Sequence, residues 1–160
     1  MAEKPVVSFR DLSEAAAELN KATDELKQTI DNLDVSLHRL SIGLSVWVEV
    51  SSWGEGDGPR YEVDQLGWSK VNGEWGISLR RIIGYEDSPE PEEVRDVWAF
   101  NDAPREMRLL AVGKLPQLLE ELGGAAIKTA MNVKQKLAEA RALTAALGVP
   151  SGGAVPKVSK

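Results

Sequence analysis

The chain has no cysteine and one histidine, His38, among its 160 residues. Without cysteine there are no disulfides, no thiolate metal sites and no cysteine nucleophile. A histidine metal site or a Ser-His-Asp triad would rest on His38 alone. Basic charge is also short: 19 Lys and Arg stand against 25 Asp and Glu, a net charge of −6. A dedicated nucleic-acid binder needs a basic face to neutralise phosphates, so nucleic acid is not an expected partner. No apolar run approaches the roughly 18–20 residues that span a bilayer. The opening MAEKPVVSFRD lacks the apolar segment of a signal peptide. The expectation is a cytoplasmic protein with no membrane segment.

What is present is ordinary globular composition, with 42% hydrophobic residues, enough for one domain with a core. Charge is uneven. Residues 86–96 carry six acids against Arg95, and residues 125–160 carry six bases against Glu139. Such blocks are usually solvated faces and linkers.

Ser8-Phe9-Arg10-Asp11 resembles a capping box with Asp in place of Glu, and it starts a helix expected over 8–41. One apolar series is Leu12, Leu19, Leu26, Leu33 and Leu40; the other is Phe9, Ala16, Thr23, Ile30 and Leu37. They alternate in 3–4 spacing and form one heptad stripe. The flanking positions are small or mixed (Ala15, Ala22, Thr29; Ser13, Asn20, Lys27), unlike the opposite charges of a parallel two-stranded zipper. His38 falls away from the stripe and is expected at the surface or its boundary.

Gly43 is expected to end this helix. Ile42, Leu44, Val46, Val48 and Val50 then alternate with small or polar residues, the period of a strand. Its other face would carry Trp47 and, further on, Trp53. The loop GEGDGPR has no Gly-Lys-Ser/Thr ending and no spaced calcium ligands, so it reads as a turn.

Asn72-Gly73 marks a two-residue type I′ turn. That register sets Leu66 opposite Leu79, Trp68 opposite Ile77 and Lys70 opposite Trp75, with Trp68 and Trp75 diagonal neighbours on the apolar face. The other face would carry Gly67, Ser69, Gly76 and Ser78, rimmed by Gln65 and Arg80. Tyr61, Val63 and Ile82 share that second face, so the apolar side switches near Asp64 and Arg81, which come opposite each other. A bulge or strong twist is expected there. Residues 85–101 read as an acidic linker with a candidate short strand around Trp98.

Asp102 as N-cap and Pro104 in the first turn start a second helical arm over 102–147, with a kink or fresh start forced by Pro116 and an interruption at Gly123-Gly124. Leu119, Leu122, Ala126, Ala130, Val133, Leu137, Ala140, Thr144 and Leu147 continue a 3–4 stripe. Short connections favour antiparallel arms, with leucines of the first set against small residues of the second. Residues 1–7 and 148–160 are expected to be disordered. The fold class is α+β, with long antiparallel helical arms flanking a 3–4-stranded antiparallel β-meander. Helix, strands, helix with long arms is similar in topology to prefoldin-type chaperone subunits; no sequence motif carries that likeness.

These features point to a non-enzymatic assembly or adaptor protein acting on a protein partner or as a homo-oligomer. The alternative is a small-molecule or peptide binding module using sheet-borne tryptophans. An enzyme is disfavoured, because acids near Arg81, Arg105 and Arg108 form no recognisable catalytic set; no cofactor or metal is expected. The candidate interaction surface is Trp47, Trp53, Gln65, Gly67, Ser69, Gly76, Ser78 and Arg80.

Overall fold

A computed structural model describes residues 7–150 except Glu55. The disorder expected for 1–7 and 148–160 falls almost wholly outside those residues. Helix α1 spans Phe9–His38 and is followed by strands β1 (Val46–Gly54), β2 (Arg60–Val71), β3 (Glu74–Tyr85) and β4 (Glu93–Ala99). A 3₁₀ turn at Phe100–Asp102 leads into α2 (Arg105–Val112) and α3 (Leu115–Ala146). The strands form one antiparallel meander in the order β1-β2-β3-β4. The fold is therefore α+β, two long helices flanking a four-stranded sheet.

The β2–β3 hairpin has the register its turn specifies. Asn72 (φ 52°) and Gly73 (φ 84°) both take the left-handed backbone a type I′ turn requires. Leu66 pairs with Leu79, Trp68 with Ile77, and Lys70 with Trp75, without a break along either strand. Trp68 and Trp75 stack with ring centroids 6.3 Å apart. The face they share is the inner one. Val48, Leu66, Trp68, Ile77 and Leu79 meet Ile30 and Leu37 of α1, Met107 and Ala111 of α2, and Leu118 and Leu122 of α3. Trp98 of β4 packs at the edge of this core, and Phe100 is buried in it. The buried Trp68 indole donates to the Ile42 carbonyl at 3.1 Å, which satisfies its polar end.

The bulges expected near Asp64 and Arg81 lie in the neighbouring strands, since β2 and β3 pair without a break. β1 shifts register between Glu49 and Ser51, opposite Asp64. β4 shifts where Arg81 pairs with Asp96 and Ile82 with Val94, leaving Arg95 as the extra residue. The first bulge corrects the expectation that Trp47 and Trp53 share a face. Trp47 pairs with Gly67 on the outer side, whereas Trp53 pairs with Glu62 on the inner side. One extra residue inverts every side chain beyond it.

Several boundaries also differ. Ser8 caps α1 as expected, accepting from the Asp11 N–H at 3.1 Å. The helix stops at His38, however, and Ser41 (φ 52°) takes the left-handed turn expected of Gly43. β1 accordingly begins at Val46 and not at Ile42. Asp102 lies in the 3₁₀ turn and Pro104 precedes α2, so Asp102 makes no side-chain cap. Pro116 sits in the first turn of α3 after a break at 113–114, and α3 runs uninterrupted through Gly123 and Gly124. Its hydrogen-bond ladder tolerates two glycines because the cost, about 1 kcal/mol each, is small beside the packing of Leu118 and Leu122.

The largest departure concerns the arms. α1 and α3 do not pack along one another. Each enters the core at one end: α1 through Leu26, Ile30, Leu33 and Leu37, α3 through Leu115, Leu118 and Leu122. The seam of leucines against small residues expected between the arms is not formed within the chain. In this respect the architecture departs from a paired-arm layout.

Candidate interaction surface

An exposed sheet edge is the first place a partner could add a strand. On β3 the stretch beyond β4 is already occupied. Asp34 and His38 lie one helical turn apart on α1 and reach the same edge. Asp34 Oδ1 accepts the Ile77 N–H at 2.7 Å, and His38 Nε2–H donates to the Trp75 carbonyl at 2.6 Å. The single histidine is exposed, and its ring stands edge-on to Trp68, 5.8 Å between centroids. It therefore protects an edge and orients a tryptophan. Nothing in the sequence linked Asp34 to Ile77, since the two are 43 positions apart.

The outer face of the sheet carries most of the candidate residues. It is not the bare patch its glycines suggest. The Trp47 ring lies on Gly67, where an added Cβ would overlap the indole and sit 2.7 Å from the Val46 carbonyl oxygen. Arg80 stacks on the same ring at 4.0 Å, and its Nε donates to Gln65 Oε1 at 2.7 Å. Trp47, Arg80 and Gln65 thus form one layer over Gly67. Burial holds the Arg80 guanidinium below its usual range. Ser78 is buried, its hydroxyl donating to the Gly76 carbonyl at 3.0 Å, while Ser69 and Gly76 are half-buried. Gly76 faces Asp34 of α1. At the other end of this face Tyr61 lies over Gly84 and donates to Glu92 at 2.7 Å. The phenol is raised above its ordinary value chiefly by that hydrogen bond.

The inner face beyond the helices is polar. Arg81 makes two hydrogen bonds to the buried Asp64, at 2.8 and 3.1 Å, the pair that their facing positions suggest. The hydrogen bond to Asp64 raises the Arg81 guanidinium above its usual range. Its other neighbour is Trp53, 4.8 Å from the guanidinium carbon. The buried Glu62 accepts from Arg60 at 2.8 Å and from Arg95 at 3.0 Å. Glu62 escaped sequence reading because Arg95 reaches it from the β4 bulge, which no local pattern marks. Each tryptophan of the candidate surface therefore already has a guanidinium on one ring face. A hollow of about 1000 Å³ beside Trp53, Tyr61 and Tyr85 is wide open to solvent. It lacks the enclosure that desolvates most of a small ligand.

The third surface is the outer part of the two long helices. On α1 the heptad stripe that buries Ile30 and Leu37 continues outward as Phe9, Leu12 and Leu19, which are 83%, 58% and 48% exposed. Every residue from Phe9 to Ala22 is exposed. On α3 the stripe through Leu118 and Leu122 continues as Val133, Leu137 and Leu147, all exposed, with Leu143 beside it. Where α1 passes α2, an apolar groove of about 270 Å³ is lined by Leu19, Ala22, Leu26 and Leu109. Arg108 is buried there and its Nε has no hydrogen-bond partner.

Among the described residues, no cluster of three or more His, Asp or Glu side chains is disposed to hold a metal ion. No described helix is long and apolar enough to cross a membrane. Comparison of the chain with protein-family models, with curated proteins and with solved structures returned no match.

Proposed function

We propose that the chain is a non-enzymatic assembly or adaptor protein that engages another protein chain through the outer halves of α1 and α3. One observation carries this reading: a single heptad stripe is buried at Ile30 and Leu37, half-buried at Leu33, and bare at Phe9, Leu12 and Leu19. A helix of this length on its own draws little stability from propensity, and most helical stability in proteins comes from packing an apolar face. The outer turns of α1 from Phe9 to Ala22 are exposed and lack such packing, with only Leu19 and Ala22 bordering the groove beside Leu109 of α2. Contiguous exposed apolar surface of this kind marks protein–protein sites. The sheet supports the reading in a second way. Its inner face is filled by core residues and ion pairs and the free end of β3 is capped, so apart from the outer edges of β1 and β4 the arms carry the longest uncovered apolar stripes.

The test is site-specific photo-crosslinking. A photoreactive side chain is placed at Leu19 or Leu137, with one at the sheet surface position Glu49 as control. Adducts to a protein, of the same or another chain, are expected from the two arm positions and not from the control. No protein adduct from either arm would refute the reading.

A further inference from the structure

We propose that the chain dimerises through reciprocal pairing of its arms, α1 of one copy against α3 of the other; this rests on the reading that the arms engage a protein chain. Charge and spacing favour this pairing. Beside the α1 stripe runs a column of small residues, Ala15 and Ala22, and beyond it a column of acids at seven-residue spacing, Asp11, Glu18 and Glu25. The stripe on the outer half of α3 is flanked instead by bases. Lys134 and Arg141 are also seven apart, and Lys136 lies on the other side. All of α1 carries seven acids against Arg10, Lys21 and Lys27, while residues 126–147 carry four bases against Glu139. Pairing α1 with α1, or α3 with α3, would set like charges side by side. Pairing α1 with α3 sets a repeating acidic column against a repeating basic one.

The apolar surfaces also fit. The outer part of α1 presents large knobs, Phe9, Leu12 and Leu19, on a 3–4 stripe. The outer part of α3 sets Val133 and Leu137 between Ala130 and Ala140 on a stripe of the same spacing. Large side chains then meet small ones, as knobs-into-holes packing requires. Lengths agree as well: exposed residues 9–22 extend about 21 Å and residues 130–146 about 26 Å at the helical rise. Each copy carries one arm of each kind. A two-fold dimer closes both seams at once, which leaves no arm to propagate an open chain.

The experiment is sedimentation velocity on the full chain, with one triple variant reversing each column. The first carries Asp11→Lys, Glu18→Lys and Glu25→Lys; the second carries Lys134→Glu, Lys136→Glu and Arg141→Glu. The wild type is expected to be a dimer that weakens as salt rises. Each triple variant alone is expected to dimerise about ten- to a hundredfold more weakly, because both of its seams bring like charges together. Mixing the two variants, or placing all six substitutions in one chain, should restore the dimer. Near-UV circular dichroism of the tryptophans, all in or beside the sheet, verifies that each variant folds. A dimer indifferent to the triple substitutions, or two variants that fail to rescue each other, would overturn the proposal. A wild-type monomer whose arms crosslink to a different protein would overturn this inference and leave the proposed function standing. A monomer whose arms crosslink to nothing would overturn both.

Discussion

The contact between Trp47 and Gly67 yields the sharpest energetic expectation. In Gly67→Ala the new Cβ would overlap the Trp47 ring and lie 2.7 Å from the Val46 carbonyl oxygen, closer than van der Waals contact allows. The ring must swing away, which also breaks its stacking on Arg80 at 4.0 Å. Loss of that cation–π contact is worth about 0.5–1 kcal/mol at a site of partial exposure. Backbone adjustment near Val46 adds about 1–2 kcal/mol, in the range of overpacked sites. With some lost burial of the half-buried indole, the total is about 3 kcal/mol. For a chain of this size that lowers Tm by roughly 6–12 °C. The assay is urea unfolding followed by far-UV circular dichroism, repeated in a Trp47→Val background. Removing the ring relieves the larger overlap and leaves only the carbonyl contact. Gly67→Ala should then be milder by about 1–2 kcal/mol, the coupling expected of residues in direct contact. Equal losses in the two backgrounds would show that Trp47 does not lie on Gly67.

Three further outcomes follow from the geometry. Asp34→Ala strips the Ile77 N–H of its acceptor at the capped edge and should destabilise the fold by about 1–3 kcal/mol, while Asp34→Asn retains an acceptor and loses less; if the Ile77 amide exchanges no faster in the alanine variant, the bond is not made. Arg81→Met leaves the buried Asp64 without its two hydrogen bonds and should cost about 2–4 kcal/mol, reduced from the fully buried case because Arg81 is partly solvated. Adding Asp64→Leu should recover most of that loss, and a double variant as unstable as the single one would contradict the pairing. The Tyr61 phenol is raised above its ordinary value near 10 by its hydrogen bond to Glu92. The stabilisation from that bond is complete below pH 10 and is lost as pH rises through the higher folded value. In a Tyr85→Phe background the ultraviolet phenolate transition should move to lower pH on Glu92→Gln, and an unmoved transition would rule the bond out as the cause.

Local chemistry made much of this molecule legible in advance. Asn72-Gly73 admits few backbone shapes, and a two-residue turn leaves one register, so the pairing of β2 with β3 follows residue by residue. The 3–4 repeat of α1 and the Ser8 cap act within a few residues of chain, and both survive unchanged. The facing of Asp64 and Arg81 follows from the same register. What the sequence could not decide depends on groups far apart in the chain. The register shift at Val50 comes from fitting β1 to β2, and it alone puts Trp53 on the opposite side from Trp47. Gly67 reads as a bare position until the sheet lays Trp47 on it, as it also lays Tyr61 on Gly84. His38 and Asp34 look like surface residues of a heptad helix until tertiary packing brings them to the open edge of β3. Periodicity determined that α1 and α3 each carry an apolar stripe, because the stripe is a property of one helix. Whether two stripes meet depends on where the sheet anchors each helix, and it anchors them at single ends, leaving both outer halves bare.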